Sequence, residues 1–144
     1  MLFRSQALGD KTFYTGDSGS AAKMKLVTNL VLGLNRAALA EGLAFAEATG
    51  VAPAAALEVL MGTVAYSRTM DNKGRKMVEG DFTTQARLSQ HLKDVQLMLQ
   101  AASESGMKLP LSETHRDLMS QAEAAGWGDL DNSAIIKVLA RRST

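Results

Sequence analysis

Cysteine is missing from this chain altogether. That excludes disulfides and thiol chemistry, and it is compatible with a reducing, cytoplasmic compartment. Histidine is scarce: His91 and His115 are the only two, and with no thiolate beside them a zinc site is not expected. Aromatic residues make up only 5% of the chain, against a hydrophobic fraction of 46%. A core of Ala, Leu and Met in helices suits that balance better than a sheet of aromatic and β-branched residues. No charge of one sign prevails. With 16 basic and 15 acidic residues the net charge is +1, so no strong field draws nucleic acid or acidic lipid. A long uninterrupted apolar run is also lacking. The richest stretch, residues 26–48, is broken by Thr28, Asn29, Asn35, Arg36, Glu41 and Glu47, which reads as a helix in water rather than a membrane span. "MLFRSQALGDK" turns charged at once, so no signal peptide is expected.

What is present is 144 residues, enough for one domain with a real core. "KTFYTG", residues 11–16, reads as a short strand ended by Gly16. It has no evident partner nearby, so it is expected to pair with another copy of the chain or with something absent. From Ser20 the pattern is helical, with Ser18 or Ser20 as the expected cap. Leu26, Leu30, Leu34 and Ala38 recur at four-residue steps, and Gly50 is a plausible stop. Such a helix is roughly 40–45 Å long and would form the spine of the domain. Gly33 and Gly42 are small enough for close helix approach. Pro53 starts a second helix and Gly62 ends it. Residues 67–81 are polar and glycine-bearing, expected as short turns. "QARLSQHLKDVQLMLQAASESG" is a long helix with Leu88, Leu92, Val95, Met98 and Leu99 along one stripe. Another starts near Pro110 and ends at Gly126, and a closing helix is capped at Asp131 or Asn132.

Lys25 and Asn29 lie four apart and share a helix face. An ammonium and a carboxamide there could hold a carboxylate or a carbonyl oxygen, and a lysine withdrawn from water can move a proton. The pattern alone favours a solvated lysine and a structurally satisfied asparagine. The adjacent pair Lys93 and Asp94 point roughly 100° apart, so at most one faces the core. His91 and His115 read as surface or rim residues, the methionines as core filler, and Trp127 as a plug at the last helix junction. "GDSG" could present amides to an anion, but it does not match the G-x-G-x-x-G dinucleotide pattern.

Three passages in order go further. "LGDKTFYTGDSGSAAKMKLVTNLVLGLNRAALAEGLAFAEATGV", "RLSQHLKDVQLMLQAASESGMKLPL" and "GWGDLDNSAIIKVL" resemble the β-hydroxyacid dehydrogenases. These include 3-hydroxyisobutyrate dehydrogenase, tartronate semialdehyde reductase and the glyoxylate/succinic semialdehyde reductases, and the "AAKMKLVTN" wording is most similar to the last branch. The resemblance implies an all-α fold, like the C-terminal domain of 6-phosphogluconate dehydrogenase, with a long central helix and a short N-terminal strand stub. It implies that residues 1–16 are the end of a missing Rossmann domain and residues 17–144 a helical C-terminal domain. By the same resemblance Lys25 is the catalytic lysine, Asn29 and Asp94 meet the substrate, and Lys93 lies near the cofactor. The full-length family uses NAD or NADP, with none expected on this chain alone. The expected activity is reduction of a small carboxylated aldehyde, and the expected partners are further copies in a homodimer or higher oligomer, with no nucleic acid or membrane. Ala86 departs from the branch, which carries an aromatic there. A non-catalytic self-association module derived from the same domain is the alternative.

Overall fold

A computed structural model of the chain describes residues 2–3, 13–14 and 16, and residues 19–140. Two short strands, β1 (Leu2–Phe3) and β2 (Phe13–Tyr14), pair antiparallel, with Leu2 opposite Tyr14 and Phe3 opposite Phe13. The strand at Phe13 and Tyr14 therefore finds its backbone partner within the same chain, which corrects the expectation of pairing elsewhere. Residues 11, 12 and 15 of that expectation lie outside the described residues.

The rest is helical. Helix α1 (Ser20–Ala48) runs 29 residues without a break. Gly19, at φ 95°, precedes its first turn and makes no side-chain cap. Ser20 is thus the first helical residue rather than the cap, and Ser18 lies outside the described residues. At the other end the Thr49 hydroxyl donates to the carbonyls of Phe45 and Ala46, and Gly50 turns the chain at φ +87°, a conformation that costs glycine little. The buried residues of α1 are Gly33, Arg36, Leu39, Ala40 and Leu43. The expected stripe of Leu26, Leu30 and Leu34 is only half-buried, and Ala38 is exposed. The reason is that only the second half of α1 crosses the core.

Helix α2 (Pro53–Met61) starts on a proline whose missing N–H costs nothing there. It leads by a loop to a π-helical turn, Met70–Gly74, and to α3 (Arg75–Glu79). A Cβ on Gly74 would lie 2.6 Å from Leu57 Cδ1, so α2 seats directly on that turn. After residues 81–87 come α4 (Leu88–Glu104) and α5 (Pro110–Ala122). A π-helical turn at Glu123–Trp127, a 3-10 turn at Asn132–Ile135 and α6 (Ile136–Leu139) complete the chain's described part. The fold is all-α around α1.

The core gathers Leu39, Ala40, Leu43, Met70, Met77, Leu88, Leu92, Met119, Ala122, Ala134 and Ile135. Burial of a leucine or methionine of this kind stabilises by roughly 1.5–3 kcal/mol. Methionine is filler at positions 70, 77, 98 and 119, but Met24, Met61 and Met107 are exposed, against expectation. Trp127 is half-buried, and the Lys137 ammonium lies 4.3 Å from its ring centre, so the plug also carries a cation–π contact. No helix among the described residues is long and apolar enough to cross a membrane.

Candidate functional site

The α1–α4 seam sets the geometry. At Gly33 a Cβ would fall 2.6 Å from His91 Nε2 on α4 and 2.9 Å from His115 Cε1 on α5. Gly33 thus marks the line of closest approach. Each step of four residues back along α1 rotates a side chain by roughly 40° from that line. Asn29 accordingly is half-buried and Lys25 exposed, on successive turns beside the seam. On α4, Asp94 lies roughly 60° from His91 in projection and Lys93 roughly 200°. Asp94 is half-buried and Lys93 exposed, as that rotation requires. Lys25 and Asn29 stand on successive turns of α1, and Lys93 and Asp94 on one turn of α4, the helix packed against it.

Behind the seam lies a node centred on Asp131, fully buried. Lys73 Nζ donates to Oδ1 at 2.9 Å and to Oδ2 at 3.1 Å. The amides of Gln85 and Ala86 donate to Oδ1, and the Ser133 amide and hydroxyl donate to Oδ2. Burial alone would raise the pKa of Asp131, but these donors outweigh it and hold the carboxyl well below its usual range. Burial lowers Lys73, and the bond to Asp131 offsets part of that. The node ties residues 85–86 to the start of the 3-10 turn, and so fixes the entry to α4. The expectation of a cap at Asp131 is met, since its side chain accepts from the Ser133 amide. Its ion pair with Lys73, 58 residues away, has no short-range sequence signal.

The two histidines correct their expected place. His91 and His115 are buried, with ring centres 5.3 Å apart. Burial first, then the nearby Arg36 charge, lowers His91 to about 3 and His115 to about 4, so both are neutral at neutral pH. His115 also adds to the lowering at His91. Arg36 is itself buried, which lowers it to about 10 while Asp131 draws it back up.

The family model described as "NAD-binding of NADP-dependent 3-hydroxyisobutyrate dehydrogenase" matches residues 19–139. The cytokine-like nuclear factor N-PAC of Aedes aegypti is 35% identical over 130 residues, 90% of this chain and 23% of that protein. The 2-hydroxy-3-oxopropionate reductase of Escherichia coli (strain K12) is 31% identical over 134 residues, 93% of this chain and 46% of that one. The chain thus spans less than half the length of these relatives. Among solved structures, the 3-hydroxyisobutyrate dehydrogenase (ygbJ) of Salmonella typhimurium superposes with a TM-score of 0.81 at 29% identity, covering 83% of this chain and 42% of that one. Sequence, length of match and fold agree: the chain belongs to the β-hydroxyacid dehydrogenase family, matching its 3-hydroxyisobutyrate dehydrogenase NAD-binding domain.

Proposed function

We propose that this chain is the C-terminal catalytic and oligomerisation domain of an NAD(P)-dependent β-hydroxyacid dehydrogenase. In this reading residues 1–16 are the end of a Rossmann domain and residues 17–144 the helical domain. It acts in the cytoplasm as a homodimer or higher oligomer, apart from nucleic acid and membrane. The substrate is a small carboxylated aldehyde of the glyoxylate or succinic semialdehyde type, a class to which the 2-hydroxy-3-oxopropionate of the Escherichia coli relative's name also belongs.

The observation that supports the reading is that Lys25 and Asn29 stand on successive turns of α1, while Asp94 is half-buried on α4, the helix packed against it. Lys25 holds the proton that goes to the substrate's carbonyl oxygen, and takes it back in the reverse direction. Asn29 and Asp94 orient the substrate by hydrogen bonding. The exposed edge at Lys25 is where a second domain would cover it. The exposed Lys93 ammonium could pair with a cofactor phosphate, but no G-x-G-x-x-G turn exists in the sequence to cradle a pyrophosphate. When bound in the full-length protein, that cofactor supplies the hydride.

The alternative is a helical self-association module without chemistry. It is favoured by Ala86, which is exposed and offers no aromatic wall, and by Val27 and Val31, each 50% exposed on α1. The two readings separate in an assay of NAD(P)H oxidation with glyoxylate and succinic semialdehyde, with and without a family Rossmann domain added in trans. Turnover is expected only with that domain, and is expected to vanish in Lys25→Ala while the thermal midpoint stays put. Turnover that survives Lys25→Ala would overturn the assignment of the proton to Lys25. No turnover under any condition, with self-association intact, would favour the module.

A further inference from the structure

Helix α1 presents an apolar face to solvent as well as one to the core. Val27 and Val31 are each 50% exposed, Phe45 is 69% exposed and Met24 39%, and Ala38 is exposed with them. At about 100° per residue these five positions fall within roughly 60° of one another, and half-buried Leu34 joins their line. The buried residues Gly33, Arg36, Leu39, Ala40 and Leu43 lie on the opposite side of the helix. From Met24 to Phe45 the outer stripe is roughly 30 Å long. A helix that is apolar on both sides is suited to being covered on both, and a continuous exposed patch of this kind marks an interaction surface.

Three features say what covers it. Lys25 and Asn29 stand roughly 135° and 175° around α1 from the stripe, so a domain that closes over them meets the other side of the helix. The stripe also borders a groove of about 370 Å³ between α1 and α5, lined by Leu34, Ala38 and Glu41 on one wall and by Leu111, Thr114 and Leu118 on the other. Ridge and groove on one face are what a self-complementary contact needs. The charges are self-complementary too. Of the five charged residues of α1, only Lys23 and Glu41 border the stripe, and both are exposed. They lie 18 residues apart, roughly five full turns, and so on the same edge. In two copies related by a two-fold axis, antiparallel helices bring like edges together, so each Lys23 meets the Glu41 of the other copy. Parallel helices would set each charge against the opposite edge, at Met24 and Gly42, which carries none.

We propose that the outer stripe of α1 is the docking surface for a second copy of this chain, with the two α1 helices packed antiparallel about a two-fold axis level with Leu32. That level lies midway between Lys23 and Glu41. It brings Val27 of one copy beside Ala37 and Ala38 of the other, a larger side chain against small ones at the groove, and Val31 beside Leu34. Burial of these apolar side chains supplies the attraction, and the two flanking ion pairs set direction and register. Self-association in the reading above thereby gains a surface and a chain direction; the assignment rests on that part of the reading and makes no use of the dehydrogenase chemistry.

The test is the dimer dissociation constant of the full chain by sedimentation equilibrium. Val27→Glu places a carboxylate in the contact twice and is expected to raise that constant roughly a hundredfold, with the helical circular dichroism unchanged. Lys23→Glu and Glu41→Lys should each raise it by roughly tenfold, and the two together should restore it to within about threefold of the parent. Because the chain has no cysteine of its own, Val27→Cys/Ala38→Cys gives a second readout: mild oxidation should link two copies covalently, and neither single change should. A parent that stays monomeric at about 1 mM would overturn the proposal, as would a double charge swap no tighter than its single changes. A dimer indifferent to Val27→Glu would overturn it too, leaving self-association to another face. Capture of an added Rossmann domain through the stripe by a monomeric chain would assign the surface to that domain instead. Should Val27→Glu fail to fold, the cysteine cross-link decides: its presence supports the contact and its absence overturns it. The catalytic reading is tested apart, since Lys25→Ala should abolish turnover with the dimer constant unchanged.

Discussion

Two buried polar clusters lie side by side, and they are built by opposite rules. At Asp131 every carboxylate oxygen is engaged by an ammonium, an amide or a hydroxyl. At Arg36, His91 and His115 buried nitrogens, namely Arg36 Nε and Nη1 and the Nε2 of both rings, have no hydrogen-bond partner among the described residues. Both clusters use residues that prefer water, and both share the field of Asp131. The first holds distant parts of the chain in register through complete pairing. The second stays compact because its imidazoles are neutral and Gly33 has no side chain to displace them. Burial of polar groups is thus tolerated by satisfaction at Asp131 and, at the two imidazoles, by neutralisation, and the second is the more sensitive to its surroundings.

The largest blow to this contrast is Asp131→Ala. It strands Lys73 and three amides at once, and is expected to cost about 3–5 kcal/mol in chemical denaturation, or to prevent folding. Lys73→Met should cost clearly less, because it leaves the carboxylate its amide and hydroxyl donors; an equal cost would mean that the ion pair, not the whole node, carries the effect. Next comes Gly33→Ala. The new methyl would overlap His91 Nε2, and the expected loss is about 1–3 kcal/mol. In a His91→Ala background the loss should shrink, and undiminished loss there would place the clash elsewhere. The smallest effect is on the pH axis. Both histidines have pKa values lowered in the fold from an ordinary 6.5, so the unfolded chain binds more protons and stability falls as pH drops below that value. One unit below it, each histidine should cost about 1 kcal/mol. The His91→Leu/His115→Leu variant should flatten this part of the profile. The contribution of Asp131 is lost only below its ordinary 3.8, so the two clusters separate along one titration.

Much of the scaffold was legible. Pro53, Pro110, Gly50 and Gly62 mark helix ends by local chemistry alone, and the Leu88–Leu92–Val95–Met98 stripe reads directly as a buried face. The exposure of Lys25 was legible, since the pattern favours a solvated lysine. The shallow burial of Leu26, Leu30 and Leu34 was not, because a four-residue repeat does not reveal which half of a long helix meets the core. The histidines were misplaced for a related reason. Imidazole is ambivalent toward water, and the glycine that admits both rings lies on another helix. The Lys73–Asp131 pair spans most of the domain, and no local pattern signals it. The partner of Phe13 and Tyr14 escaped notice because a two-residue strand at Leu2 and Phe3 carries no alternation to read.

All the buried residues of α1 lie at Gly33 or beyond, so its first thirteen residues extend past the core with support on one side. That half works as a lever. Lys25 is eight residues, roughly 12 Å, from the fulcrum at Gly33. A tilt of about 5° there moves the lysine by about 1 Å, a displacement large enough to matter for the proton transfer proposed for it. A change that repacks the seam at Gly33, such as Gly33→Ala, is therefore expected to be felt at the far end of the helix, without touching it.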